Sequence, residues 1–289
     1  MHLPWSKGST FLAWIVRMSF IKRWALMHCM REENVSEHSH QTAVIAHMLA
    51  LIKNKLYGGQ IDPGQVAVLA LYHEVSEAKL QDLNSKTKYL NPEFTKQYKL
   101  IEHKAEEECL ATLPPELKED FAPLIIQSNI APELKTLVKA ADTIAAYIKA
   151  RDELRFHNPE FIHVKDGLET VLEQYAAAMP EVQYFLNNFV PLCWATVDQL
   201  SGIDAALNQT ATSTEASTAT TATASTTTAT EASTTTAATA STTMAATAST
   251  TAATAGTATI PSATTPTSTL STTPAPNLSE ATAPHKGKS

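Results

Sequence analysis

Cysteine is scarce in this sequence, and its pattern argues against two common uses of the residue. The 289 residues contain three cysteines, Cys29, Cys109 and Cys193, and none belongs to a Cys-X-X-Cys pair. An odd number of widely spaced cysteines argues against a disulfide framework and against a thiolate zinc site. We therefore expect a reducing, cytoplasmic location.

Long apolar runs are missing as well. The apolar stretch at residues 11–16 is six residues long and is soon followed by Arg17, Lys22 and Arg23, whereas a membrane span needs about 20 apolar residues. Acidic residues outnumber Lys and Arg by 29 to 22, although the phosphate backbone of a nucleic acid is bound by basic surfaces. We expect neither a membrane nor a nucleic acid polymer among the partners.

Aromatic residues and cysteine are absent from residue 205 onward, where the sequence is almost entirely Thr, Ala and Ser. Such a segment has few large apolar side chains whose burial could offset the loss of chain entropy on folding. The sequence therefore predicts a domain at residues 9–204, followed by a disordered, low-complexity tail at residues 205–289. A domain of this length can bury one sizeable core.

Helix signals recur through residues 9–204. Polar side chains cap the free N–H groups at helix starts, and proline suits the first helical turn. Candidate starts lie at Ser36, Asp62-Pro63, Asn91-Pro92, Ala131-Pro132 and Asn158-Pro159. Apolar residues between these signals follow a helical period, as at Val66, Leu69 and Ala70, and Gly58 predicts a helix end. We predict an all-α fold of six to eight helices without strands.

Polar residues appear abruptly at the end of the apolar segment 66–72. On a continuous helix Glu77 lies four residues after His73 and three after Glu74, so all three residues face one sector. Such a cluster can hold a metal ion and a proton donor. A solvated helix end with a His/Glu pair is the alternative, and this segment taken alone favours it.

Two residues far away in the sequence make a metal site more plausible than a solvated helix end. His38 lies just inside a predicted capped helix, and Asp142 lies among small apolar residues in the middle of another. Burying an unpaired carboxylate is costly unless a cation or hydrogen bonds compensate, so a metal ion is the simplest explanation for Asp142, and the alternative is a solvent-facing position. His40 and His47 point elsewhere around the helix of His38 and are predicted to be surface or packing residues.

Together these residues resemble the H…HD…D signature of the HD-domain metallophosphohydrolases and, more closely, the bacterial 5′-deoxynucleotidases of the YfbR type. The resemblance spans residues 9–200 and depends on five motifs in the family's order, at residues 21–27, 33–39, 71–77, 82–83 and 138–142. It implies an HD-domain helical bundle, and a cytoplasmic homodimer that hydrolyses 2′-deoxyribonucleoside 5′-monophosphates with little regard for the base.

The resemblance also implies the role of each site residue. One divalent ion is expected on His38, His73, Glu74 and Asp142. Two imidazoles and two carboxylates suit Co, Mn or a similar ion better than Ca. Glu77 would be the catalytic acid/base, Arg23 would orient the phosphate during catalysis, and Trp24 would pack against the deoxyribose. Further substrate contacts are expected from Asp82, Leu83, Asn84 and Ser85, together with His38, Glu74 and Asp142.

Two positions depart from the family pattern. Glu74 stands where the family has Asp, so its carboxylate extends about one bond length further in a site with narrow tolerances. The usual Thr-Gly-Asp-Leu-Pro loop reads Leu-Gln-Asp-Leu-Asn at residues 80–84, which lacks the glycine and the proline that set its backbone. Two alternatives therefore stay open: an HD phosphohydrolase acting on another nucleotide, and a degenerate nucleotide-binding or scaffold protein with weak or no catalysis.

Deleting residues 205–289 is expected to leave folding and phosphate release unchanged, because the tail contributes no core residue and no predicted site residue. The melting temperature and turnover of the 1–204 fragment, measured beside the full chain, test this expectation. A fragment that is unfolded or has lost most of its turnover would contradict the predicted boundary.

Overall fold

The computed structural model describes residues 8–209, which contain no strand beyond one isolated bridge. Its α-helices within residues 8–196 are α1 (Phe11–Arg17), α2 (Val35–Leu56), α3 (Pro63–Tyr72), α4 (Glu77–Leu80), α5 (Ser85–Lys88), α6 (Pro92–Ala111), α7 (Lys118–Ile125), α8 (Pro132–Arg155), α9 (Ile162–Ala178) and α10 (Pro180–Asn188). The prediction of an all-α fold is confirmed for this part of the chain. These ten helices exceed the predicted six to eight because α4 and α5 have four residues each, too few for a periodic pattern.

Residues 8–196 belong to one compact unit, and the helical residues 197–209 belong to another. Residues 205–209, which the sequence assigned to the tail, are thus helical, as the strong helix formers Ala205, Ala206 and Leu207 allow. The rest of the predicted tail, residues 210–289, lies outside the described residues. None of the described helices is both long and apolar enough to span a membrane.

The core of the first unit is built around α2. This helix packs against α3, α8 and α10, and α8 packs in turn against α9. Small residues are fully buried on both long helices, including Ala46 and Ala50 on α2 and Ala141 and Ala145 on α8. Alanine at such positions lets helix axes approach closely, so α2 and α8 can bring polar side chains within hydrogen-bonding distance of each other.

The start of α2 differs from the predicted one. Asn34, not Ser36, is the N-cap, and it forms a capping box in which the Glu37 N–H donates to Asn34 Oδ1 at 3.0 Å and the Asn34 N–H donates to Glu37 Oε2 at 3.3 Å. The correct cap was missed because Ser36 is also a good capping residue. The helix ends before Gly58, which has φ +69°, as predicted. His40 and His47 are exposed on it, also as predicted.

The segment after α3 is not the continuous helix that the sequence predicted through Glu77. Residues 73–76 form tight turns, in which the Val75 N–H donates to the Tyr72 carbonyl at 3.1 Å and the Glu77 N–H to the Glu74 carbonyl at 3.0 Å. Val75 is buried in an apolar cluster with Phe11, Cys109, Leu113, Ile125 and Ile126. Burial of this side chain fixes the turn, and the tighter winding changes the directions of the acidic residues on either side.

Gln81 occupies a backbone conformation that normally belongs to glycine. It follows α4 with φ 66° and ψ 169°, and its N–H donates to the Glu77 carbonyl at 2.8 Å. Glycine is expected here in the loop of the family that the sequence resembles. The chain carries a side chain in a backbone conformation that favours glycine, at a strain of about 1–3 kcal/mol.

The variant Gln81→Gly is expected to increase the free energy of unfolding by about 1 kcal/mol, because relief of strain outweighs the extra entropy of glycine in the unfolded chain. Denaturant unfolding measures the change. Gln174→Gly, at an exposed position inside α9, is the control and should lower stability by about 1 kcal/mol. Equal destabilisation by both variants would show that Gln81 is not strained.

Candidate functional site

The four predicted metal ligands come together at one point. His38 lies in the first turns of α2, His73 and Glu74 follow α3, and Asp142 lies in the middle of α8. One potential ligand atom from each residue lies within 4.8 Å of those from the other three. Residues more than 100 positions apart in the sequence thus form a single donor cluster, where the sequence alone showed only their types.

His38 and Asp142 contact each other where α2 packs against α8. His38 Nε2 lies 2.9 Å from Asp142 Oδ1 and 3.4 Å from Thr42 Oγ1, and the His38 side chain is fully buried. The Asp142 side chain is 37% exposed, so part of it faces solvent, as the alternative interpretation expected. Burial tends to raise the pKa of Asp142, but the hydrogen bond and charge of His38 outweigh it and hold this pKa well below its usual range.

His73 is oriented by the backbone. Its Nδ1 lies 2.6 Å from the Ala70 carbonyl, so Nδ1 carries a proton and donates it to that oxygen. Nε2 is buried, has no hydrogen-bond partner among the described residues, and lies 3.3 Å from Glu74 Oε1. A buried imidazole with one nitrogen fixed by a backbone carbonyl and the other facing a carboxylate is the arrangement that metal-binding histidines adopt.

Glu74 reaches the cluster despite its extra methylene. Its Oε1 lies 4.0 Å from Arg23 Nη1 as well as beside His73. Burial raises the pKa of Glu74, but the charges of His73 and Arg23 outweigh it and lower this pKa to about 2. An ionised carboxylate therefore stands where the resemblance described above leads us to expect Asp. Together with the unpartnered imidazole nitrogen, this donor set fits a borderline divalent ion.

The pKa values of Glu77 and Asp82 are raised, whereas that of their neighbour Glu74 is lowered. Burial, followed by the charges of Glu74 and Asp82, raises the pKa of Glu77 well above its usual value. Its Oε2 is buried and has no hydrogen-bond partner among residues 8–209. Burial also raises the pKa of Asp82, although Arg23 opposes the shift. The raised pKa of Glu77 favours its protonated form, whereas the lowered pKa of Glu74 favours its ionised form.

Arg23 and Trp24 lie in a loop that closes on the start of α2. The Val35 N–H donates to the Ile21 carbonyl at 3.0 Å, and the Arg23 N–H to the Glu33 carbonyl at 3.0 Å. Trp24 packs edge-on against Phe161, with ring centroids 5.3 Å apart. Burial tends to lower the pKa of Arg23, but the negative charges of Asp142, Glu74 and Glu33 outweigh this effect and raise it. Arg23 is therefore a charged hydrogen-bond donor at the edge of the cluster.

The far side of this loop is fixed to α8. Glu153 accepts hydrogen bonds from the Met30 N–H at 2.7 Å and the Arg31 N–H at 3.1 Å, and Lys149 donates to both the Arg31 carbonyl and Glu153. The Asn158 amide also donates to Glu153, at 2.9 Å. The same helix that carries Asp142 thus holds the loop that carries Arg23.

The remaining predicted loop residues are less closely connected to the cluster. The Asn84 side chain caps α5, with Oδ1 accepting from the Lys86 N–H at 2.9 Å. Ser85 is exposed and Leu83 is half-buried. Of residues 82–85, Asp82 is the one whose charge is coupled to Arg23, Glu74 and His38.

Sequence reasoning did not identify two neighbours of the cluster. Glu33 contacts both Arg23 and Trp24, and it was overlooked because an acid before a helix start is ordinarily a solvated charge. Tyr175 on α9 is buried, and burial together with the charge of Asp142 raises its pKa to about 12. Nothing in the sequence marks Tyr175, because only tertiary packing brings α9 to α8.

Comparisons with known proteins agree with this geometry. The model of the family described as "5′-deoxynucleotidase YfbR-like" matches residues 10–193. The chain is 46% identical over 195 residues to the 5′-deoxynucleotidase VP0926 of Vibrio parahaemolyticus, covering 68% of this chain and 100% of that protein. It is 43% identical over 195 residues to the 5′-deoxynucleotidase YfbR of Escherichia coli, covering 68% of this chain and 97% of that protein.

A solved structure supports the fold. An HD-domain phosphohydrolase from Listeria innocua superposes with a TM-score of 0.58 at 18% identity, covering 65% of this chain and 90% of that one. At this identity the likeness concerns the fold alone. It confirms the helical HD-domain architecture predicted from the sequence.

Proposed function

Because the chain belongs to the YfbR-like family of 5′-deoxynucleotidases, we propose that it hydrolyses 2′-deoxyribonucleoside 5′-monophosphates to deoxynucleosides and phosphate, using one divalent metal ion. The observation that carries this proposal is the cluster of four ligand atoms within 4.8 Å of one another. Arg23 and Glu77, which suit phosphate binding and proton donation, adjoin it. The domain responsible is proposed to be residues 9–204.

His38, His73, Glu74 and Asp142 would hold the ion. When bound, such an ion polarises a phosphoryl oxygen and lowers the pKa of a bound water, which provides a nucleophile for attack on phosphorus. The hydrogen bond to the Ala70 carbonyl orients the His73 imidazole for this role. The identity of the ion is proposed from the donor set alone, as Co, Mn or a similar borderline ion.

Arg23 and Glu77 would act on the substrate itself. Arg23, charged and largely buried, would donate hydrogen bonds to the phosphoryl oxygens and offset their negative charge. Glu77 in its protonated form would transfer its proton to the departing 5′ oxygen as the phosphorus–oxygen bond breaks, because that oxygen otherwise leaves as a poor alkoxide. Burial, followed by the charge of Glu74, favours the protonated form of Glu77.

Trp24 would select the sugar. Its indole is fixed between Phe161 and Glu33, and a flat ring held against C2′ of the sugar leaves neither room nor a hydrogen-bond partner for a hydroxyl group. Exclusion of this kind usually gives moderate discrimination. We propose contacts of Asp82, Leu83, Asn84 and Ser85 with the sugar and base, and little base preference.

A cytoplasmic homodimer is also proposed, on the family resemblance. The two alternatives from the sequence remain as outcomes of the tests below. Hydrolysis of triphosphates, cyclic nucleotides or guanosine polyphosphates in preference to monophosphates would support a different phosphohydrolase. A protein that binds nucleotides without turnover would support the scaffold interpretation, although the ionised Glu74 within the cluster favours an intact metal site.

Phosphate release from deoxynucleoside 5′-monophosphates is expected to disappear in excess chelator and to return with Co or Mn, because the four ligands would otherwise face no cation. The assay compares a panel of deoxy- and ribonucleoside monophosphates with and without chelator. Full activity in chelator would exclude the proposed metal dependence. Faster hydrolysis of ribonucleotides would exclude the proposed selectivity.

Glu74 and Glu77 are expected to differ when each is replaced by alanine. Glu74→Ala should lose bound metal, because one of four ligands is removed. Glu77→Ala should retain the metal while kcat falls by about 10²- to 10⁴-fold, which is typical of a lost general acid. Metal analysis and kcat measured on the same preparations test both expectations. Loss of metal in Glu77→Ala alone would show that the two roles are exchanged.

A further inference from the structure

Glu33 is a buried acid whose carboxylate contacts two residues of the proposed substrate site. Its side chain is 1% exposed. One oxygen, Oε2, accepts a hydrogen bond from Trp24 Nε1 at 2.7 Å and lies 3.4 Å from Arg23 Nε. A buried carboxylate is costly to desolvate unless it is paired, and the partners that compensate Glu33 are the proposed phosphate-binding and sugar-facing side chains.

The backbone of Trp24 needs this support. Trp24 has φ +59°, a left-handed conformation that costs about 1–3 kcal/mol for a residue with a bulky side chain. Such a conformation persists only when surrounding contacts determine it. The hydrogen bond from the indole to Glu33 and the packing on Phe161 supply those contacts at the side chain, so the direction of the indole depends on Glu33.

Glu33 also connects this pair to the metal-ligand cluster. It immediately precedes Asn34, the N-cap of α2, and its carbonyl accepts a hydrogen bond from the Arg23 N–H at 3.0 Å. His38 lies four residues after the N-cap on the same helix. The backbone and side chain of Glu33 therefore set the position of Arg23 and Trp24 relative to α2 and its histidine.

We propose that Glu33 is a positioning residue that holds Arg23 for the phosphate and Trp24 for the deoxyribose, so that one buried carboxylate controls both substrate affinity and discrimination against the 2′-hydroxyl. This inference rests on the proposed function. Glu33 does not touch the substrate in this scheme and acts through its two neighbours. Its two contacts differ in kind, since the one with Arg23 depends on charge and the one with Trp24 on an acceptor oxygen.

Two substitutions separate these contacts. Glu33→Gln keeps the size and an acceptor oxygen for the indole but removes the charge beside Arg23. We expect KM to rise about tenfold for deoxy- and ribonucleotides alike, as for the loss of a charge-assisted contact, with the ratio of their kcat/KM values preserved. Glu33→Ala removes both contacts and should also lower that ratio about tenfold, with bound metal retained in both variants.

Glu32→Gln is the matched control, because it makes the same chemical change one residue away, at a side chain that is 71% exposed and paired with Lys22. It should leave KM and the kcat/KM ratio unchanged. If Glu33→Ala fails to fold, Glu33→Asp provides the second variant, since it keeps the charge near Arg23 but draws the carboxylate back from Trp24 Nε1 by about one bond length. That variant should lower the deoxy-to-ribo ratio without the general rise in KM.

The outcomes distinguish this inference from the proposed function. If the wild-type protein hydrolyses deoxynucleotides and the Glu33 variants lower the melting temperature while leaving KM and the ratio unchanged, Glu33 is merely structural and the inference is wrong. If the wild-type protein shows no hydrolysis, the proposed function fails, and calorimetric binding of deoxy- and ribonucleoside monophosphates to the wild type and Glu33→Gln decides the inference. Equal affinities, or no binding by either protein, would overturn it.

Discussion

The close approach of α2 and α8 is the constraint on which the rest of the structure depends. The two helices pack against each other and both carry fully buried alanines, and His38 and Asp142 lie 2.9 Å apart across their contact. A hydrogen bond from an imidazole at this distance stabilises the ionised form of the carboxylate. Because its pKa is lowered, the Asp142 carboxylate stays ionised and can bind a cation.

The other half of the cluster is set by a small apolar core beside the main one. Val75 is buried there between two polar residues, Glu74 and Ser76, so the chain winds into tight turns and directs His73 and Glu74 toward α2 and α8. Gln81, nearby in the loop, lowers the stability of the folded state because its backbone adopts a conformation suited to glycine. Val75 and Gln81 thus lie on either side of Glu77, the proposed proton donor, and the proposed ligands His73 and Glu74 directly precede Val75.

Acidic residues serve as internal anchors for the loop of Arg23 and Trp24. Glu153 accepts hydrogen bonds from the Met30 and Arg31 amides and pairs with Lys149, and Glu33 contacts the side chains of Arg23 and Trp24. Both acids are nearly inaccessible to solvent. Buried carboxylates with several donors fix geometry more strictly than apolar contacts do, because an unpaired charge in the interior is costly. A loop without regular structure can in this way be as well placed as a helix.

The sequence by itself determined the helical class, the family and the residue types of the donor cluster. It also determined three helix starts, at Pro63, Pro92 and Pro132. Capping residues, helical period and ordered motifs are local signals, so they can be read without the tertiary structure. Tertiary structure decided the rest. The break after Tyr72 follows from burial of Val75 against α1, α6 and α7, and the surroundings of Glu33 and Tyr175 follow from the way that loops and helices pack together. Burial, pKa and the pairing of charges are properties of three-dimensional surroundings, which a pattern of residue types does not contain.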